Sequence, residues 1–245
     1  MIRTILILVI LLLTIESGIA QSFSVGAGIN YGGALPTEKV DSTSGKPLIG
    51  LNTGIAYTIP LSKRFSFTPA LYYSFRGLDY GQNFTRDTLF AININGVSAE
   101  VPSYYTAFVN GSMRLHYINM PLLFSYRIFK FNITFGPYLS VLVSGKDAGD
   151  VRVVIGEGGI LDDYMESFDN FSVIRKLEQG FIIGSQTPIY KNLNLEMKVS
   201  RSLFTLYHPD RVIDNGQGIV KMYNTYMEIG LVYQFKSEKL LALCK

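Results

Sequence analysis

The alternation of apolar and polar residues along this chain predicts β-strands. Over most of the segment Phe129–Gly145, large apolar side chains alternate with small or polar ones. A period of two places successive side chains on opposite faces of a strand. The pattern recurs in seven other segments, which begin at Phe23, Ile49, Phe65, Ile118, Leu177, Leu193 and Tyr223. The sequence therefore predicts eight strands, of which the one from Leu177 has the weakest pattern.

The connections between the predicted strands alternate strictly between short and long. The short ones are PLSK, RI and KN, and the long ones begin at Gly32, Arg76, Gly145 and Tyr207. Short turns at one rim and long loops at the other are typical of bacterial outer-membrane barrels, which have an even number of strands. We therefore expect an all-β fold, an eight-stranded antiparallel up-and-down transmembrane β-barrel with periplasmic termini.

A soluble eight-stranded barrel is the alternative, and the composition of the two strand faces separates the two folds. Rows of Phe, Tyr, Leu and Ile would overfill the interior of an eight-stranded barrel, whereas Gly, Ser, Asn and Ala suit a crowded lumen. The apolar rows are therefore expected to face lipid, and closure of the barrel satisfies the backbone groups in hydrocarbon. Aromatic residues near the strand ends predict two interfacial girdles. The girdle near the short turns would contain Tyr57, Phe65, Tyr126, Phe129 and Tyr190, and that near the long loops Tyr31, Phe75, Tyr117 and Tyr223.

The two longest connections carry hairpin signals of their own. Asn95-Gly96 lies between alternating residues, which is a strong signal for a two-residue turn. The segment Val151–Leu161 has a similar pattern around its glycines. We expect both connections to extend their strands beyond the membrane.

The start of the chain predicts export. Arg3 precedes the apolar run Ile5–Ile15, which is too short to span a bilayer as a helix, and Gly18 and Ala20 suit a signal-peptide cleavage site. The predicted organisation is a signal peptide at residues 1–20, an outer-membrane barrel at 21–235 and a periplasmic tail at 236–245. The expected location is the outer membrane of a Gram-negative bacterium.

Three charged residues are predicted to lie in the lumen. Glu196 and Lys198 fall on the polar face of one strand, and Glu228 falls on the polar face of the last strand at nearly the same height. We expect them to pair, because an unpaired charge in a narrow, dry lumen would cost several kcal/mol. A plug of paired charges is the main interpretation, and a path for protons or ions is the alternative.

Three prolines interrupt the predicted strands. Pro69, Pro121 and Pro137 lie at similar heights on three neighbouring strands. Proline cannot donate to a β-ladder, and a closed barrel has no edge strand to hold it. We expect bulges or lost ladder bonds along this proline belt, either as tolerated irregularity or as a built-in distortion.

The prolines also carry a family resemblance. The successive segments FTPALYYSFRG, YINMPLLFSYRI and FGPYLSVLVSGK resemble signatures of the PorT-like outer-membrane β-barrel family of Bacteroidota. The resemblance extends from about Ser22 to Phe235, although Asn119 stands where that family often has an acidic residue. It implies an integral outer-membrane protein, some relatives of which serve protein secretion, and it implies no catalytic residues.

Other chemistry is sparse. Ser202, His208 and Asp210 lie near the predicted outer rim, as does His116, so a lipid-modifying enzyme is one alternative. A His-Pro-Asp sequence in a loop is more often a turn. Zinc-ligand spacings and phosphate-binding glycine loops are absent from the sequence, so we expect no metal site and no cofactor. The formal net charge of +3 is too small to favour nucleic acid.

These patterns favour a non-enzymatic envelope protein. Its expected partners are outer-membrane lipid and envelope proteins, including those of secretion, which would bind the long extracellular loops. A lipid-modifying enzyme that uses His208 or His116, and a narrow channel, remain the alternatives. Tyr138 and the lumen charges Glu196, Lys198 and Glu228 are expected to block conduction.

Overall fold

The computed structural model describes residues 22–36, 43–94, 97–157, 160–169, 171–207 and 222–236. The expected signal peptide, the tail after Lys236, and the loop residues His208 and Asp210 lie outside the described residues.

Strands account for nearly all of the described chain. A 3₁₀ helix (Phe171–Val173) precedes the third-last strand, and no helix in the described ranges is long and apolar enough to cross a membrane. The strands are β1 (Ser22–Pro36), β2 (Thr43–Pro60), β3 (Phe65–Ile94), β4 (Val97–Ile128), β5 (Phe131–Glu157), β6 (Ile160–Asp169), β7 (Leu177–Tyr190), β8 (Leu193–Thr205) and β9 (Met222–Lys236).

Eight of the nine described strands form a closed antiparallel ring. The ring runs from β1 through β5, continues directly to β7, β8 and β9, and closes where β9 pairs with β1. The closing pair extends in unbroken register from Ser22–Lys236 to Pro36–Met222. The predicted eight-stranded up-and-down barrel is therefore confirmed.

The two longest connections are continuations of the sheet. β3 and β4 are 30 and 32 residues long, and they stay paired from Phe65–Tyr126 to Ile94–Val97. The outer part of β5 pairs with β4 on one side and with β6 on the other. This confirms that both connections extend the strands, although the turn residues 95–96 and 158–159 lie outside the described residues.

The side chains divide between the two faces as the alternation predicts. Apolar residues of the membrane-spanning strands are exposed outward, and examples are Val25, Leu51, Leu71, Phe135, Ile183 and Leu231. Residues of the opposite phase are buried in the lumen, and examples are Ser24, Asn52, Ser74, Ser140, Ser200 and Asn224. The prediction that Tyr117 belongs to the aromatic girdle near the long loops is wrong, because its side chain is 0% exposed. Tyr117 has the inward phase of β4, so it packs inside the barrel and does not belong to the outer girdle.

Candidate functional site

The charged residues predicted for the lumen meet near its middle, in what we call the lower lumen cluster (Lys198, Glu196, Glu228, Asn52 and Tyr72). Lys198 on β8 lies directly opposite Glu228 on β9 in the ladder. The Lys198 Nζ atom is 3.0 Å from Glu196 Oε2 and 3.2 Å from Glu228 Oε2. All three charged side chains are buried, so this ammonium group pairs with two carboxylates away from bulk water.

Two further side chains complete this cluster from the opposite wall of the barrel. Asn52 Nδ2 on β2 donates a hydrogen bond of 2.9 Å to Glu228 Oε2. The Lys198 Nζ atom lies 4.5 Å from the ring centroid of Tyr72 on β3, within the range of a cation–π contact. The cluster therefore spans the lumen and links β2, β3, β8 and β9.

A second ionic group lies closer to the extracellular mouth, and we call it the upper lumen cluster (Arg76, Glu178, Asn119, Asn224, Tyr138, Tyr117 and Tyr226). Arg76 Nη1 is 3.1 Å from Glu178 Oε1, and both side chains are almost fully buried. The other guanidinium nitrogens donate to Ser74 Oγ at 3.2 Å and Asn119 Oδ1 at 3.1 Å. Such a fork of bonds suits the planar geometry of arginine.

The partners of Glu178 and Arg76 come from all round the barrel. Tyr138 donates to Glu178 Oε1 at 2.7 Å, and Asn224 donates through Nδ2 to Glu178 Oε2. The Arg76 guanidinium also lies between two aromatic rings, 4.7 Å from the centroid of Tyr117 and 4.4 Å from that of Tyr226. The upper lumen cluster thus joins β3, β4, β5, β7 and β9 through one ion pair.

The sequence interpretation did not find the Arg76–Glu178 pair. It placed Arg76 at the start of a long loop and gave Glu178 no role. The alternation along each strand could have located both residues in the lumen. Arg76 follows the inward residues Tyr72 and Ser74 at intervals of two, and Glu178 lies two residues before the inward Gly180. Two opposite charges on inward positions of a narrow barrel indicate a pair.

Above these clusters, a carboxylate is held at the extracellular side by two tyrosines. Tyr80 donates to Asp147 Oδ1 at 2.8 Å, and Tyr207 donates to Asp147 Oδ2 at 3.2 Å. Asp147 lies well beyond the roughly 9–11 residues of β5 that would cross the hydrocarbon. Burial raises the pKa of Asp147 above its ordinary range, and it raises the pKa of Tyr80 and Tyr207 likewise.

An apolar layer lies beside this carboxylate at the extracellular side of the lumen. Its buried members are Leu78, Met113, Leu115, Tyr117, Leu142, Ile174 and Leu206. Ile174 precedes β7 and Leu206 follows β8, so residues next to two strands contribute to this layer. The two tyrosines that donate to Asp147 pack against the same layer.

Three cavities inside the described part of the barrel are small. The cavity between the two lumen clusters has a volume of about 10 Å³, as does the cavity below Tyr72 that touches Glu196. A third, nearer the periplasm and lined by residues such as Thr134 and Gln186, has about 20 Å³. A water molecule requires at least about 10–15 Å³ by this measure, so each holds on the order of one water. None of these three cavities accommodates a substrate.

The proline belt coincides with gaps in the pairing of neighbouring strands. The β3–β4 register passes from Pro69–Leu122 to Tyr72–Asn119 without paired residues between them. The β4–β5 register passes likewise from Pro121–Tyr138 to Phe124–Phe135. Pro137 faces outward, opposite Phe181 of β7, and lines an apolar groove of about 260 Å³ on the lipid-facing surface.

His116 lies on the outer face of β4 near the extracellular side. Its Nδ1 atom is 2.5 Å from the hydroxyl of Tyr73, and its ring packs 5.0 Å from the ring centroid of Phe75. Ser202 is buried inside the barrel, where it accepts a hydrogen bond from the backbone N–H of Asn224. His116 and Ser202 therefore belong to opposite faces of the barrel and do not form one catalytic group. In the described ranges, no group of acidic, His and Cys side chains could hold a metal ion.

Several solved structures of other proteins are similar to this chain at low sequence identity. Solved structures similar to the chain include Ail of Yersinia pestis, with 12% identity over 88% of this chain and 99% of that chain, and a TM-score of 0.40. They also include the neisserial surface protein A, with 13% identity over 89% and 100% and a TM-score of 0.35. OprG of Pseudomonas aeruginosa has 11% identity over 89% and 98%, and a TM-score of 0.32. The comparison with curated proteins finds no match.

A family model gives the firmer assignment. The model described as the outer membrane protein beta-barrel domain matches residues 19–208, which is well over half of the chain. This protein therefore belongs to the outer membrane protein beta-barrel domain family and is an integral protein of the Gram-negative outer membrane.

Proposed function

We propose that this protein is a non-enzymatic component of the cell envelope that stabilises the outer membrane or binds a partner through its outer hairpins. The observation that carries the proposal is the contrast between a filled lumen and a large extracellular sheet. Lys198 and Arg76 each fix a buried ionic cluster across the barrel, whereas β3 and β4 continue together to Ile94 and Val97. The three described cavities inside the barrel are too small for a substrate, so we assign recognition to the outer surface.

The extracellular sheet offers a continuous surface for a protein partner. Outside the membrane, β4 pairs with β3 on one side and with β5 on the other, and β5 also pairs with β6. β6 ends the order of strands in the sheet, so one of its edges carries no neighbouring strand among the described residues. Unpaired backbone groups at such an edge can bind a strand of another protein.

We further propose that the chain is a PorT-like member of its family and an accessory of protein secretion. Support comes from the three proline-containing segments, which lie on the adjacent strands β3, β4 and β5. An outward-facing hairpin sheet with an open edge fits a role in a larger assembly better than it fits a solitary barrel.

The test is to shorten the β3–β4 hairpin. Residues 83–108 are replaced by a two-residue turn that joins the paired residues Gln82 and Val109, and the barrel is left intact. We expect the shortened protein to stay folded in the outer membrane but to lose its partner when envelope complexes are captured after mild crosslinking. The matched control replaces residues 152–165 of the β5–β6 hairpin with the same two-residue turn, which joins the paired residues Val151 and Glu166. Capture of the same complexes by the shortened and the complete protein would contradict the role given to the β3–β4 hairpin.

One observation favours a second candidate, a lipid-modifying enzyme. His116 is partly exposed on the outer face and is bonded to Tyr73, so lipid could reach it. Purified protein and a His116→Ala variant, each incubated with lipid A and with phospholipids, would separate the two functions. Product formed by the complete protein and not by the variant would establish the enzyme.

A further inference from the structure

The periplasmic rim of the barrel has an unusual charge distribution. Its three short turns and their flanks are rich in basic residues and contain no Asp or Glu between positions 60 and 67, 126 and 131, or 190 and 195. The exposed basic side chains of this cationic rim are Lys63, Arg64, Arg127, Lys130 and Lys191. The extracellular side differs, because its exposed residues Asp150, Glu166 and Asp169 accompany the basic ones.

The basic side chains of the cationic rim lie at the level of the aromatic girdle. Arg64 Nη1 donates to the hydroxyl of Tyr126 at 3.4 Å, and Lys191 Nζ lies 5.2 Å from the ring centroid of Tyr190. Tyrosine in a barrel girdle sits at the boundary between hydrocarbon and lipid headgroups. The positive charges therefore face the headgroups, and their aliphatic stems can run along the apolar surface.

The backbone of two short turns supports a role for their side chains outside the barrel. Phe129 and Lys191 have positive φ angles of 53° and 37°, in a region that favours Gly or Asn. Phe129 is also 92% exposed, although it is a large apolar residue. A bulky side chain in this conformation is unfavourable for the turn itself, and the Phe129 ring is left exposed at the surface of the rim. An apolar ring beside Lys130 matches the boundary between acyl chains and phosphates.

We propose that the cationic rim binds the phosphate groups of anionic phospholipids in the periplasmic leaflet. Charge complementarity selects this occupant, because five exposed cations on three turns whose sequences contain no Asp or Glu create a positive surface at headgroup height. Phosphatidylglycerol and cardiolipin supply the negative charge, whereas phosphatidylethanolamine has no net charge. The inference does not depend on the role of the outer hairpins.

The test compares two variants with the same loss of charge. The rim variant carries Lys63→Gln, Arg127→Gln, Lys130→Gln and Lys191→Gln. The control variant carries Lys46→Gln, Lys146→Gln, Lys176→Gln and Arg201→Gln, which removes three lysines and one arginine from exposed positions toward the other side of the barrel. A third variant replaces Lys63, Lys130 and Lys191 with Arg and retains the charge.

Each protein, from residue 21 to its end, is folded in uncharged detergent and mixed with equal amounts of phosphatidylglycerol and phosphatidylethanolamine. Native mass spectrometry then measures how many molecules of each lipid stay bound. The gel mobility before and after heating shows that each variant is folded. A basic side chain near an anionic surface strengthens binding by roughly fivefold, so we expect the complete protein to prefer phosphatidylglycerol by about tenfold or more. The rim variant should retain both lipids about equally, and the control and arginine variants should keep the preference.

Two results would overturn the proposal. One is equal retention of the two lipids by the complete protein. The other is a preference that the rim variant keeps, because the charge that attracts the lipid would then lie elsewhere. In the second case, loss of binding of the rim variant to an acidic periplasmic protein would identify the rim as a protein-binding surface.

Discussion

At the scale of single residues, Lys198 pairs with two carboxylates in the middle of the barrel. Lys198→Met would leave Glu196 and Glu228 close together without a cation. Removing one partner of a buried ion pair costs roughly 3–5 kcal/mol, and we expect a loss of that order in the free energy of unfolding. Urea unfolding in lipid vesicles, followed by gel mobility, measures it. Lys46→Met at an exposed site is the control, and equal midpoints for both variants would contradict the role of Lys198.

Asp147 predicts a pH dependence with a definite sign. Burial raises its pKa in the folded chain above the ordinary 3.8, so the folded state binds this proton more tightly than the unfolded chain does. The contribution of Asp147 to stability is therefore greatest below pH 3.8 and declines as the pH rises through the raised pKa.

Asp147→Asn isolates this contribution, because it keeps an acceptor for Tyr80 and cannot ionise. We expect the difference in free energy of unfolding between Asp147→Asn and the wild type to grow in favour of the variant as the pH rises from 3.8. Unfolding midpoints measured across this range provide the check, with Asp150→Asn at an exposed position as control. A difference that stays constant with pH would show that Asp147 titrates normally.

At the scale of strands, β4 and β5 approach each other closely at the proline belt. A Cβ atom added to Gly136 would lie 2.0 Å from the carbonyl oxygen of Leu122, and backbone cannot move aside as a flexible side chain can. We expect Gly136→Ala to lower the free energy of unfolding by about 1–3 kcal/mol, as overpacking does elsewhere.

Gly45→Ala is the matched control for Gly136→Ala. Its added Cβ atom would meet Leu78 Cδ1 at an ordinary 3.5 Å, so little change is expected. Both variants are compared by urea unfolding in vesicles of the same lipid. If Gly136→Ala is as stable as Gly45→Ala, β4 and β5 are free to separate at the proline belt.

The strands also show how far sequence alone leads. The period of two predicted the ring strands, because lipid and lumen impose opposite demands on alternate residues. The phase of a residue is more reliable than its distance from a strand end. Nearness to the strand end places Tyr117 in the outer girdle, whereas its phase places it in the lumen. The lumen position of Arg76 is missed because the predicted strand ends before it. Partners across the lumen, such as Arg76 and Glu178, depend on the stagger of the closed barrel, which no single strand contains.

At the scale of the whole molecule, the barrel is expected to be closed to ions. The lower and upper lumen clusters and the apolar layer at the mouth lie one above another along its axis. In planar bilayers with concentrated KCl, we expect neither the wild type nor Lys198→Met to produce conductance steps, because the upper lumen cluster remains in the variant. Steps in the wild type would establish a channel. Steps only in Lys198→Met would favour a path for ions that the lysine blocks.

The unbroken pairing of β1 with β9 has a consequence for synthesis in the cell. β1, the first of the described strands, pairs with β9, the last of them. One edge of β1 therefore stays unpaired until the C-terminal part of the chain has been made. A premature stop codon before residue 222 would leave the open borders of β1 and β8 without a neighbour. Such unpaired edges bind other strands, which leads to aggregation. We therefore expect the unfolded protein to need a chaperone in the periplasm, and we expect truncated copies to be degraded.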